Sequence, residues 1–111
     1  MDVEQVPERL AVLAEPNRFR IVELLRSGPR SVGEIVEALG LAQPHVSRHL
    51  RILHDAGLVQ VRPQAQRRIY SLRRAPFEEL NAWFTAVTAI WSERMDRLDA
   101  YLQQVEAQET A

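Results

Sequence analysis

The sequence predicts a mainly α fold with a minor β component (α+β): a helix-turn-helix, a two-stranded β-wing and a long C-terminal helix. Three observations predict it. The stretch SVGEIVEALGLAQPHVSRHLRILHDAGLV, residues 31–59, carries two apolar stripes of helical period on either side of Gly40 and Leu41. The stretch RPQAQRRIYSL, residues 62–72, follows at once, with β-branched and aromatic residues at strand spacing. From Pro76 onward neither glycine nor proline interrupts a third apolar stripe.

Val3, Val6, Leu10 and Leu13 stand at helical spacing and predict a short packing helix within residues 1–14. Glu15, Pro16 and Asn17 lead into a second helix, residues 19–25, which ends near Ser27, Gly28 and Pro29. In the helix-turn-helix, residues 31–55, Val32, Ile35, Val36 and Leu39 form the buried stripe of the first helix. Gly40 ends that helix, because only glycine takes the left-handed position beyond a helix without strain. In the next helix Val46, Leu50 and Leu53 stand at i, i+4 and i+7. They face the core and leave Gln43, His45, Ser47, Arg48, His49 and Arg51 on or near the outer surface. Pro44 falls in the first turn, where its missing N–H costs little. Gly57 closes this helix. In the wing, residues 58–72, Leu58, Val59 and Val61 are expected to pair with Ile69, Tyr70 and Leu72 around a turn near residues 63–66.

The chain has 111 residues and a net charge of −1, but the charge is segregated. Between residues 42 and 74 seven arginines face Asp55 alone, a local +6, whereas residues 75–111 carry −5 and residues 1–41 carry −2. The basic block coincides with the second helix of the pair and the wing, as an electrostatic footprint for phosphate should. A helix presenting one polar side chain after another fits the DNA major groove, where amide and guanidinium groups read base edges. Gln43, His45, Ser47, Arg48 and His49 are therefore the candidate base contacts, and Arg51, Arg62, Arg67, Arg68, Arg73 and Arg74 the candidate contacts to phosphates or the minor groove.

The wording LAEPNRFRIVELL, SVGEIVEALGL, AQPHVSRHLRIL, HDAGLV and RRIYSL, in this order, resembles the ArsR/SmtB family of bacterial winged helix-turn-helix repressors over roughly residues 10–72. The resemblance implies that the wing lies along a minor groove, with Arg67 and Arg68 at or just past its tip. It also implies that the first helix packs on the C-terminal helix in a dimer. The sequence departs from the family at two places. The wing turn lacks the frequent glycine, and Ala42 stands where a capping serine is common, a loss worth about 1 kcal/mol.

Phe77, Leu80, Phe84, Val87, Trp91, Leu98, Tyr101 and Val105 follow alternating steps of three and four, broken only at Arg94. A helix over residues 76–106 is too long for so small a domain, residues 1–111, to cover, so a second copy is the expected cover through a twofold interface. Val6, Leu10, Leu13, Phe77, Leu80, Phe84, Val87, Trp91, Leu98 and Tyr101 are the candidate interface residues. Twofold symmetry sets two reading helices one DNA turn apart, roughly 34 Å, and predicts an inverted-repeat operator.

No cofactor and no metal are expected. There is no cysteine, so thiolate sites are absent; Ser31, Val32, Gly33 and Glu34 stand where the family's thiol sensors carry ligands. No histidine follows His54, and Glu93, Asp96 and Asp99 offer zinc oxygen alone. His45 and His49, at i and i+4, lack the adjacent glutamate of a metalloprotease helix and read as DNA contacts. His54 reads as a favourable charge at a helix C-terminus. No phosphate loop, nucleophile elbow or acid–base pair supports an enzyme. With no apolar run of membrane-spanning length and an acidic N-terminus, the chain is expected in the cytoplasm. The expected partners are operator DNA and a second copy of the chain, and Trp83, Phe84, Trp91 and Met95 are the candidate contacts of an unidentified small-molecule effector. Two other readings stay open: a repressor switched by oxygen or imidazole metal ligands, and a dimeric interaction module that binds no specific DNA.

Overall fold

The computed structural model describes residues 3–109. In chain order the elements are α1 (Gln5–Ala14), α2 (Pro16–Leu25), β1 (Arg30–Ser31), α3 (Val32–Leu39), α4 (Gln43–Asp55), β2 (Val59–Gln64), β3 (Arg67–Leu72) and α5 (Arg74–Glu109). They fall into two compact units, Met1–Glu79 and Leu80–Ala111. The helix-turn-helix, the wing and the long C-terminal helix all form, so the fold is a mainly helical winged helix-turn-helix. Within the expected 1–14 helix, Met1 and Asp2 lie outside the described residues.

In the first unit α2, α3, α4 and the sheet enclose one core. Ile21, Ile35, Val46, Leu50, Leu53 and Leu58 are fully buried, with Leu25, Leu39, Val59 and Tyr70 beside them. Val32, Val36 and Leu41 pack against this cluster, so the stripe on α3 faces the core as its spacing implies and Leu41 joins it from the turn. Arginines on α2 tie the helices together through carbonyl ends that intrahelical bonding leaves free. Arg18 Nε donates to the Val12 carbonyl of α1 at 2.8 Å, and Arg20 donates to the Leu39 carbonyl of α3 at 3.2 Å.

The ends of α3 and α4 explain the geometry of the turn. Ser31 accepts from the Glu34 N–H while Glu34 reaches back to the Ser31 N–H, a capping box that starts α3. Gly40, at φ 67°, stops it, and three residues later α4 begins at an Ala42 N-cap that has no side-chain capping bond, with Pro44 in the first turn. At the far end of α4 the Gly57 N–H donates to His54 and the Leu58 N–H to Leu53, with Gly57 at φ 77°. This is a Schellman closure, and it turns the chain straight into the wing.

The sheet differs from the expected two strands. A third strand, β1, pairs with β3, giving the antiparallel order β1-β3-β2. Two residues cannot display a period, so β1 leaves no pattern in the sequence; Ser31, its last residue, is buried and also caps α3. The wing turn is tighter than expected. Gln64 pairs with Arg67 and Pro63 with Arg68, which leaves only Ala65 and Gln66 outside the ladder. Ala65 takes φ 56°, a left-handed conformation that glycine would hold without strain. The second helix begins at Pro16 rather than Phe19, because the Glu15 side chain accepts from the Arg18 N–H and proline suits the first helical position.

In the second unit α5 continues unbroken to Glu109, against the expected end at residue 106, and it starts at Arg74 rather than Pro76. Its 36 residues span about 54 Å at 1.5 Å per residue. Phe84, Ile90, Trp91, Met95, Leu98, Tyr101 and Leu102 are all exposed in the single chain. Trp83 and Phe84 pack edge to face with ring centroids 5.0 Å apart.

Candidate nucleic-acid interface

Helix α4 offers its outer side because one flank is fully committed to the core. With Val46, Leu50 and Leu53 buried, the 100° step per residue turns Arg48 and Arg51 outward, Gln43 and Ser47 toward the wing, and His45 to the opposite shoulder. All five are exposed. Position 49 falls three residues after Val46, on the inner shoulder, and His49 is accordingly not on the outer surface. Its side chain is 14 % exposed, with Nδ1 3.7 Å from Glu15 and 3.4 Å from Arg18. It ties α4 to the start of α2, a correction to its expected place among the base contacts.

Glu15 is the centre of that joint. Burial raises its pKa, but backbone N–H bonds from Arg18 and Asn17 and the nearby charges of His49 and Arg18 outweigh it and hold the carboxyl below its ordinary value. The spacing of positions 46, 49, 50 and 53 is itself a helical inner face and could have placed His49 correctly.

In the wing, ladder register decides which side chains share a face. Arg68 lies on the face of Val61 and Tyr70, whereas Arg62 and Arg67 lie on the other, with Ile69. All three arginines are exposed. Arg73 and Arg74, also expected to meet DNA, are engaged within the chain. Arg73 Nη1 donates to the Gly57 carbonyl at 3.0 Å, and its N–H donates to the Leu58 carbonyl at 2.9 Å, which fastens the base of the wing to the end of α4. Arg74 pairs with Glu78 one turn along α5.

The arginines of the first unit thus divide by what they touch. Arg9 pairs with Glu79, Arg26 with Glu23 and Arg30 with Glu34, while Arg18, Arg20 and Arg73 bond to carbonyl oxygens. Among the described residues Arg48, Arg51, Arg62, Arg67 and Arg68 make no side-chain hydrogen bond or ion pair. These five sit on α4 and the wing.

Two grooves flank Arg68. One, between α4 and the wing, is lined by Gln43, Ser47, Arg51, Val61, Arg68 and Tyr70, with His54 and Asp55 at one end. The other runs between the start of α3 and the wing tip and includes Glu34, Glu37, Gln66 and Arg67. The Glu34 carboxylate is held below its ordinary pKa by bonds from the Ser31 backbone and hydroxyl, with Arg30 and Arg67 nearby. The groove facing α4 is not among the sequence-based expectations; the alternation of Val61, Arg68 and Tyr70 across the hairpin is the signal that could have found it.

The candidate dimer residues also divide. Val6 and Leu80 are buried within the single chain, at 2 % and 6 % exposure, and Leu13 and Phe77 pack against the core of the first unit. Val6 and Leu80 thus fall outside the exposed set, whereas Leu13 and Phe77 are only half-buried. Leu10 and Val87 are half-buried, and Phe84, Trp91, Leu98 and Tyr101 stand exposed.

Among the described residues no three His, Cys, Asp or Glu side chains converge on a point where a metal could sit. No helix among them is long and apolar enough to cross a membrane. An apolar pocket lies in the first unit, lined by Leu13, Phe19, Val22, Leu72 and Phe77, with Glu23 and Arg26 at its rim. Trp83, Phe84, Trp91 and Met95, the expected effector contacts, do not line it.

Residues 15–61 match the family described as "Bacterial regulatory protein, arsR family". The chain is 42 % identical over 73 residues to the HTH-type transcriptional regulator Rv2034 of Mycobacterium tuberculosis, covering 65 % of this chain and 68 % of that protein. It is 34 % identical over 86 residues to the biofilm growth-associated repressor of Xylella fastidiosa, covering 77 % and 75 %. Among solved structures, that of M. tuberculosis Rv0081 aligns with a TM-score of 0.62 at 37 % identity, over 80 % of this chain and 91 % of the other. An ArsR family transcriptional regulator aligns with a TM-score of 0.72 at 26 % identity, over 79 % and 97 %. The arginines of the first unit that make no side-chain hydrogen bond or ion pair lie on the two elements that a winged helix-turn-helix presents to a duplex, and the chain belongs to the ArsR family of DNA-binding bacterial transcriptional regulators, not to the enzymes.

Proposed function

We propose that the protein is a homodimeric repressor that occupies an inverted-repeat operator overlapping a promoter and so excludes RNA polymerase in the bacterial cytoplasm. The observation that carries the reading is the set of five arginines on α4 and the wing that make no side-chain hydrogen bond or ion pair. A guanidinium left free in a chain that pairs its other first-unit arginines is available to phosphate. In this reading Gln43, His45, Ser47 and Arg48 meet base edges in the major groove. Arg51, Arg62, Arg67 and Arg68 meet the backbone or the flanking minor groove, and the partner copy covers the exposed stripe of α5.

Support for the dimer comes from the exposure of Phe84, Trp91, Leu98 and Tyr101 along one helix, an apolar area that a solitary chain rarely leaves in water. Support for repression comes from the Xylella relative, which is named a repressor. The test is fluorescence-anisotropy binding to duplex DNA from the chain's own upstream region and to a scrambled duplex, with and without zinc and a chelator. Tight, salt-sensitive binding to the native duplex alone supports the reading. Equal weak binding to both would favour an interaction module, and release by zinc would establish a metal switch.

A further inference from the structure

We propose that the groove between α4 and the wing is a phosphate seat, in which Arg51 and Arg68 together hold one phosphodiester of the DNA backbone. The inference rests on the DNA-binding reading above and assigns a shared ligand to two residues that lie on different elements. If α4 occupies a major groove and the wing the adjacent minor groove, one sugar–phosphate strand separates the two and must run between them. The groove that would receive that strand is the one lined by Gln43, Ser47 and Arg51 on one wall and Val61, Arg68 and Tyr70 on the other.

Its lining suits a phosphate. Gln43, Ser47 and Arg51 recur every four residues along α4, so an amide, a hydroxyl and a guanidinium follow one another up a single wall. The register places Arg68 on the opposite wall with Tyr70 and Val61, away from Arg62 and Arg67. Neither Arg51 nor Arg68 has an anionic partner among the described residues, and two free guanidinium groups facing one groove repel each other until an anion comes between them. Asp55, 3.9 Å from His54 at one end, confines an anion to the stretch beside Ser47 and Arg51.

The neighbouring groove shows the contrast. Arg68 borders it too, with Arg67, but Glu34 and Glu37 share its lining, and bonds from Ser31 hold the Glu34 carboxyl below its ordinary pKa. Those carboxylates repel a phosphate. Of the two channels beside Arg68, the one facing α4 is therefore the path of the strand, and Arg68 serves the backbone there while Arg62 and Arg67 remain for the minor groove.

A double-mutant cycle tests the shared contact. Arg51→Ala, Arg68→Ala and the double variant are titrated with the native upstream duplex and a scrambled one over a range of salt, beside Arg48→Ala and Arg48→Ala with Arg68→Ala. All three arginines are exposed and unpartnered, so thermal unfolding should be unchanged. One shared phosphate predicts that each single change weakens both duplexes by a similar factor and lowers the salt slope by about 0.9. The Arg51/Arg68 double variant should then lose little beyond the worse single variant, whereas the Arg48/Arg68 losses multiply. If the Arg51 and Arg68 losses multiply and the slope falls twice as far, the two arginines hold separate phosphates and the seat is wrong. A wild-type chain that binds neither duplex overturns the DNA-binding reading itself, a result distinct from specific binding with independent losses.

Discussion

Arg73 and Arg68 lie five residues apart, yet Arg73 is bonded to a carbonyl of its own chain and Arg68 makes no side-chain hydrogen bond or ion pair. Arg73 is spent on the Gly57 carbonyl, so Arg73→Ala should lower unfolding stability by about 1 kcal/mol in a urea titration and leave the salt slope of DNA binding unchanged. A reduced slope at unaltered stability would return Arg73 to the DNA. Ala65 holds φ 56° without being glycine, so Ala65→Gly should raise stability by up to about 1 kcal/mol; a loss of stability would show that the turn is not strained. Glu15 titrates below its ordinary value of 4.5 in the folded chain. Its ionisation therefore favours folding above that value, and the gain is lost as pH falls through the folded-state value. Glu15→Gln, which keeps an oxygen to cap α2, should flatten the acid limb of the stability curve below about pH 4.5. An unaltered acid limb would place that dependence on another carboxylate. At this scale the sequence reveals residue types and misses partners. It cannot show that Arg73 meets a carbonyl sixteen residues earlier, because that contact exists only once α4 and the wing have closed on each other. His49 is legible, since its spacing from Val46 and Leu50 already puts it on the inner shoulder.

Elements are more legible than contacts. The α3–turn–α4 unit can be read because three independent signals agree there: apolar period, a glycine that takes the left-handed region, and proline in a first turn. Leu50 is fully buried at the middle of that unit, and Leu50→Ala should cost about 2–5 kcal/mol in thermal or urea unfolding. A change below about 1 kcal/mol would mean that α4 does not depend on this core. The wing strands are legible by alternation, but the turn within them is not, because Pro63 reads as a turn residue and yet pairs with Arg68 on the ladder. Proline is tolerated there because β2 is an edge strand, bonded on one side only. The capping box of Ser31 and Glu34 stands in the sequence as S-x-x-E and would have fixed the start of α3. Two-residue β1 cannot be found locally, since its pairing with β3 is set by the closure of the whole unit.

At the scale of the whole molecule, segregated charge and the long α5 are both legible in the sequence, and together they support a symmetric DNA reader. The exposed stripe on α5 has its own consequence. Trp91→Glu or Leu98→Glu should convert a dimer to a monomer by sedimentation equilibrium, and with it lower operator affinity by far more than either change in charge alone explains. Retention of the dimer would move the interface off α5. What the sequence does not reveal is which apolar residues the chain keeps for itself. Val6 and Leu80 share the pattern of the exposed apolar residues and are buried in the single chain, because a periodic stripe records burial without recording by what. The central claim, two reading helices held one DNA turn apart, is tested most directly by footprinting and anisotropy on the native operator and on a variant with five base pairs inserted between its half-sites. The account requires two chains per duplex and a collapse of specific affinity toward the scrambled level when the half-sites are turned to opposite faces. Equal affinity for both operators, or one chain bound per duplex, would contradict it.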